Sequence, residues 1–271
     1  MRFSIDAQLH YRLAQSHEVL LLLEAATTPD QRVLSERLQV NAGDVDRRVD
    51  PVSGERTAIV TARGDLQIGY RAEVEVAPRL TDFRDARADR VRDLPSDVLP
   101  YLRPSRYCPS DRFERVAHRR FGALAGGEKV AAILAYVGDH LAYEAGSSNG
   151  FTTASETFTD GAGVCRDFAH LAITLCRAAD IPARAVSAYA WRLDPPDLHA
   201  VVEVFLGGRW WLADPTGRAP VEGLVRVATG RDAADIAFMS IFGRAQLVSQ
   251  SFSVTQVEAA NAIAAELLLA S

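Results

Sequence analysis

Cysteine is scarce in this chain, with three in 271 residues. So few thiols, odd in number, exclude a disulfide framework as the basis of the fold. Basic charge is also short. The 30 lysines and arginines stand against 35 aspartates and glutamates, for a net charge of −5. That balance lacks the electrostatic footprint of nucleic-acid binding or of an acidic lipid surface. Long apolar runs are missing too. The longest, such as VLLLLEAA at Val19–Ala26, is too short to span a bilayer. The start, MRFSIDAQLHYRL, alternates apolar and polar residues where a signal peptide carries an apolar core. There is no internal repeat, no low-complexity tract, no EF-hand loop and no dense acidic cluster, so calcium is not indicated. These absences lead to the expectation of a cytoplasmic protein with no nucleic-acid or membrane partner and no metal or cofactor, its oligomeric state left open.

What is present is enough for a real core: 48% hydrophobic residues against 24% charged. Residues 1–78 read as a β domain. RFSIDAQLHYRL has period two, HEVLLLLEAA suits a central strand, and QRVLSERLQV continues the pattern. TAIVTARGDLQIGYRAEVEV reads as a hairpin about Arg63-Gly64-Asp65, and short strands between turn signals suggest a β-sandwich. Residues 79–110 gain charge and then proline, as expected of a linker lying against the surface, with Cys108 in it. Residues 111–271 form the second domain. Glu128–Glu144 has helical spacing, SSNGFTTASETFTDGAG reads as a functional loop, and a hydrophobic helix begins near Cys165. ARAVSAYAWRL, HAVVEVFL and RWWLADPT read as strands, RAQLVSQSFSVTQ as further β structure, and EAANAIAAELLLA as a terminal helix.

Cys165 follows a Gly-Ala-Gly segment and opens a helix. It is either a packing residue or a nucleophile. A helix N-terminus and a nearby imidazole both favour thiolate. His170 lies five positions along the helix, roughly 140° round from Cys165, and reads as structural; Asp167 also faces away. His199 opens the strand HAVVEVFL, and Gly207-Gly208 signals a two-residue hairpin. With Leu206 opposite Arg209, the ladder sets Val201 opposite Asp214 and His199 opposite Thr216. Asp214 is then the diagonal neighbour of His199, at about 7–8 Å between backbones, which side chains can close. There it can orient the imidazole and stabilise imidazolium. Glu203 is the weaker substitute.

Together GVCRDFAHL, LHAVVEVFL, WWLADPT and GRDAAD resemble the bacterial transglutaminase-like cysteine-protease family. The resemblance covers most of the chain. It implies an α+β fold in which an N-terminal β-sandwich-like domain precedes a papain-like core, the cysteine helix packed on an antiparallel sheet. It implies a triad of Cys165, His199 and Asp214 acting through a thioester on a peptide or protein amide. The backbone N–H of Cys165 is one candidate for the oxyanion, and Tyr143 is the side-chain candidate; the alternative for Tyr143 is packing at a helix end. The family commonly has Trp two residues after the histidine, where Val201 stands here, a change expected to widen or reshape the cleft. Arg231, Asp232 and Asp235 match a family motif and read as a salt-bridged loop near the cleft. Three functions remain open: a cysteine peptidase or amidase, an acyltransferase with an amine acceptor, and a binding or assembly protein that retains the fold without turnover.

Overall fold

The structure is a computed structural model and describes residues 1–257. The expected helix at EAANAIAAELLLA lies outside them. Alternation builds the first sheet. Strand β1 (Arg2–Leu21) buries Phe3, Ile5, Ala7 and Leu9 in turn while the residues between them stay accessible. Strands β2 (Gln31–Val40), β3 (Asp46–Val49) and β4 (Arg56–Val76) follow. β1 and β4 pair antiparallel over most of their lengths.

The hairpin expected at Arg63-Gly64-Asp65 is absent, because β4 runs through it unbroken. Leu13 pairs with Gly64 and His17 with Ala62, so β1 carries extra residues opposite Arg63 and the site is a bulge. Gly64 has φ +74°, a conformation glycine adopts without a Cβ penalty. HEVLLLLEAA is likewise no separate strand at its start, since β1 continues to Leu21.

The second half begins with helices α1 (Glu114–Phe121) and α2 (Gly126–His140), then the two-residue strand β5 (Ala142–Tyr143). Helix α3 (Ala154–Asp160) occupies part of the segment expected to be loop. Its signal is Thr153-x-x-Glu156: the Glu156 carboxylate accepts the Thr153 N–H at 2.6 Å. Strand β6 (Ala162–Gly163) and helix α4 (Cys165–Ala178) follow, then β7 (Ala183–Ala190), β8 (Leu198–Leu206), β9 (Arg209–Ala213) and β10 (Leu224–Gly230). Helix α5 (Ala233–Ile236) and strands β11 (Met239–Ile241) and β12 (Ala245–Val257) complete the described chain.

The fold is α+β. Helix α4 packs on β7 and β8 of an antiparallel sheet ordered β10-β7-β8-β9. The first sheet is ordered β11-β1-β4-β2, with β12 also paired to β1 and β3 to β4. β12 flanks the first part of β1 and β11 its end, so two halves share β1 and β4. A division at residue 111 therefore parts strands that pair with one another: β11 and β12 belong to the first sheet.

One hydrophobic core runs from Phe3 and Tyr70 through Leu171 to Val204. Tyr70 stacks on Tyr189 at 6.1 Å, and the Tyr189 hydroxyl donates to the Leu23 carbonyl at 2.7 Å. The segment 79–110 lies against the surface as expected, most of its residues exposed, and is pinned to the body by a few buried anchors. Val98 and Cys108 are buried, and Arg79 donates to the Leu224 carbonyl at 2.6 Å and to Asp30 at 2.8 Å.

Candidate active site

The Gly-Ala-Gly segment before Cys165 has two backbone tasks. Gly161, at φ +68°, ends α3 in the left-handed conformation. Strand β6 then lies parallel to β5, with Ala142 opposite Ala162 and Tyr143 opposite Gly163. A Cβ on Gly163 would stand 2.6 Å from the Cβ of Asp167, so only glycine fits. Asp167, fully buried, accepts the Val164 N–H at 2.9 Å and so ties down the first turn of α4. Arg166 pairs with the same carboxylate at 3.1 Å. Cys165 is the first residue of this helix and is partly exposed. Cys108 and Cys176 are buried, and burial pushes both thiols up to about 12.

The β8–β9 ladder has the expected register. Leu206 pairs with Arg209, and pairing runs down to Val202 with Ala213. Gly207 and Gly208 both have positive φ, 60° and 76°, as a type I′ turn requires. Asp214 leaves the ladder one residue later and accepts from His199 Nε2 at 2.9 Å. Its other contacts fix it: Thr216 N–H at 2.9 Å, Thr216 Oγ1 at 2.7 Å and Ala219 N–H at 3.0 Å. Both side chains are buried, at 0% and 2% exposure. Burial alone would depress the imidazole, but hydrogen bonds to Asp214 and Cys165, with the charge of each, raise His199 to about 9. Burial works against the Asp214 carboxylate too, yet the bonds from His199 and Thr216 hold its pKa below the ordinary value. His199 Nδ1 has no nitrogen or oxygen partner among the described residues and is the ring atom left to face Cys165.

Tyr143 reaches the same cysteine from the other side. Burial raises its phenol, the charge on Cys165 adds to the rise, and a hydrogen bond from the Cys165 backbone N–H opposes it. The ring also packs on Phe168 at 5.8 Å, and the Arg218 guanidinium lies over it at 4.1 Å. Packing and contact with Cys165 are thus one arrangement. A cavity of about 440 Å³ opens on Cys165 and His199. Met239 of β11 and Gln250 of β12 form part of its wall, so strands of the first sheet help to shape the cleft.

A profile of the transglutaminase-like superfamily matches residues 115–215, a span that holds Cys165, His199 and Asp214. A crystal structure described as "a Putative Cysteine Protease from Cytophaga hutchinsonii" is 37% identical, with 96% of this chain and 91% of that one covered and a TM-score of 0.91. The chain belongs to the transglutaminase-like superfamily. An uncharacterised protein of Mycobacterium leprae is 30% identical over 146 residues, 50% of this chain and 52% of its own, so the match spans about half the length of that relative. The periplasmic domain of TgpA from Pseudomonas aeruginosa is 20% identical, with 79% of this chain and 77% of that one covered and a TM-score of 0.43. Membership places the chain among cysteine-dependent enzymes.

In this transglutaminase-like site Glu203 and Val201 differ from the sequence reading, while the structural His170 and the Arg231–Asp235 ion pair agree with it. Glu203 orients no histidine. It is buried between Arg184 and Arg226, with bonds of 2.7 Å to each. Val201 lines no part of the cleft but packs in a separate apolar cluster with Leu212 and Ala219, so a small side chain there does not widen the cavity. His170 accepts the Ala233 N–H at 3.1 Å and stacks on Tyr107 at 5.0 Å; burial lowers it to about 4, which keeps the ring neutral. In the GRDAAD segment Arg231 pairs with Asp235 at 2.9 Å. Asp232 is buried instead, accepting the Tyr107 N–H at 2.9 Å and the Ala234 N–H at 3.0 Å. Asp232 and His170 thereby hold the loop whose Ala233, Ile236 and Phe238 face the cleft. Sequence reasoning missed the cap made by Asp167 and the loop anchor made by Asp232, although Asp232 stands in the GRDAAD motif already singled out.

Proposed function

We propose that this chain is a cysteine-dependent amide hydrolase acting on a peptide or protein substrate. The observation that carries the reading is the division of His199: Nε2 is spent on Asp214, and Nδ1 is left for Cys165, the partly exposed thiol beside two buried ones. In the proposed reaction the Cys165 proton passes to His199 Nδ1, and Sγ attacks the substrate carbonyl carbon. The oxyanion takes the Cys165 backbone N–H, which lets go of the Tyr143 oxygen, and the freed Tyr143 hydroxyl turns to donate to it as well. Collapse breaks the C–N bond, the amine leaves with the proton from Nδ1, and a thioester remains on Sγ. Water then attacks the thioester carbon and gives a proton to Nδ1. The C–S bond breaks, releasing the acid, and the thiol is restored. Asp214 keeps the ring orientation and stabilises its positive form throughout.

The test is mass-spectrometric mapping of iodoacetamide labelling across pH, for the native chain and for His199→Ala. Selective labelling of Cys165 at mildly acidic pH, lost in the variant, supports the pair. Labelling of accessible Cys165 like an ordinary thiol of pKa about 8.5 in both proteins overturns it. Hydrolysis rather than transfer is checked once a substrate turns over: free acid should remain the main product in the presence of an added primary amine.

A further inference from the structure

The cleft wall contains two charged side chains besides His199: Arg166 and Asp197. Arg166 is already held, by Asp167 at 3.1 Å and by the Ser148 hydroxyl at 2.9 Å. Asp197 is not. Its carboxylate accepts the backbone N–H of Leu198 at 2.7 Å and forms no ion pair among the described residues. The side chain is exposed along the cleft wall; partial desolvation raises its pKa, while the Leu198 N–H and the charge of His199 oppose the rise. Its charge also reaches the phenol of Tyr11 on β1. Much of the remaining wall is apolar, with Leu198, Ala200, Ile236 and Phe238. The Ser187 hydroxyl, buried in the same wall, has no partner among the described residues and is available to a polar atom of a bound molecule.

An apolar wall with one carboxylate that no ion pair claims among the described residues matches one kind of side chain: a long aliphatic stem with a cationic head. We propose that the cleft selects a peptide substrate with a lysine or arginine side chain next to the scissile amide, the stem lying on the apolar wall and the charged head on Asp197. This makes Asp197 a specificity-determining residue. The proposal rests on Cys165 being the nucleophile of that cleft.

Charge selectivity at Cys165 tests it without knowledge of the natural substrate. Three methanethiosulfonates are compared, carrying an aminoethyl, a sulfonatoethyl or a methyl group, and each rate of Cys165 modification is divided by that of the methyl reagent on the same protein. His199 imidazolium and Arg166 on their own would favour the sulfonate, so a preference for the ammonium reagent has to come from elsewhere. The native protein should prefer the aminoethyl reagent, and Asp197→Asn should cut the ammonium-to-sulfonate ratio by about tenfold at low salt. Asparagine keeps the acceptor for the Leu198 N–H, so the loop retains its bond. Equal rates for the two charged reagents, or a ratio unchanged in Asp197→Asn, overturn the cation seat. The nucleophile is read separately, from the methyl reagent in native and His199→Ala proteins. If His199 does not matter while the charge ratio still depends on Asp197, the seat stands and the catalytic reading falls. If His199 matters and the ratio is flat, the seat alone falls.

Discussion

At the scale of single residues, His199 sits between opposed influences: burial pulls its pKa down, and Asp214 and Cys165 lift it to about 9. Asp214→Asn removes the fixed negative charge and leaves the burial. The His199 ring, followed by its NMR titration, should then fall from about 9 toward or below its ordinary 6.5. Stability should follow with a definite sign. A histidine raised above its unfolded value stabilises fully below pH 6.5 and loses that contribution as pH rises through about 9. Asp214, whose pKa is lowered, contributes above 3.8 and loses its share as pH falls below that value. The difference in melting temperature between native and Asp214→Asn proteins should be widest between these limits and close at both ends. A gap that widened above pH 9 would contradict the assignment. This pair was legible in the sequence because Gly207-Gly208 fixes a register that carries His199 to Asp214. Asp197 was not, since a lone carboxylate before a strand has no local pattern. Its meaning lies in Ile236 and Phe238, which come from far along the chain.

At the scale of elements, the first turn of α4 depends on a close approach that a side chain would block. Gly163→Ala would press a methyl on Asp167, which anchors the Val164 N–H. Overpacking of this kind costs about 1–3 kcal/mol, to be read from urea unfolding midpoints. It should also slow Cys165 alkylation, because the displaced anchor holds the turn bearing the thiol. Gly43→Ala is the comparison, since no atom lies within 4 Å of a Cβ there and its φ, like that of Gly163, is outside the left-handed region. The helix itself was legible, being apolar on a broad face, whereas its anchor was not, because an aspartate in a first turn usually serves only the helix dipole. The same limit explains Arg63-Gly64-Asp65. A glycine between two alternating segments marks either a turn or a bulge, and only the pairing partner decides. Here β1 is long enough to pair on both sides of Gly64.

At the scale of the whole molecule, the two ends of the described chain share a sheet. Arg2 pairs with Val257 and Leu21 with Met239. Nothing local in RAQLVSQSFSVTQ specifies that partner, so a reading that moves along the sequence assigns it to the second half. The seam between the sheets is polar as well as apolar. Glu203, on β8, is paired with Arg184 and Arg226, and Arg226 also pairs with Asp30 at 2.7 Å, joining the core sheet to the turn before β2. Gln31 reinforces the join by accepting the Arg226 N–H at 2.7 Å and donating to its carbonyl at 2.9 Å. Removing one member of such a buried set leaves uncompensated charge, so Glu203→Ala should cost roughly 3–5 kcal/mol. That loss should appear as a lower midpoint of one transition, because the core that contains Phe3 also contains Leu171 and Val204. Scanning calorimetry of the native protein should accordingly give a single peak with equal calorimetric and van't Hoff enthalpies. Glu203→Ala should shift that peak down without splitting it. Two separated peaks, one of them unmoved by Glu203→Ala, would mean that the first sheet unfolds independently of the helix bearing Cys165, and the continuous core would then not be a cooperative one.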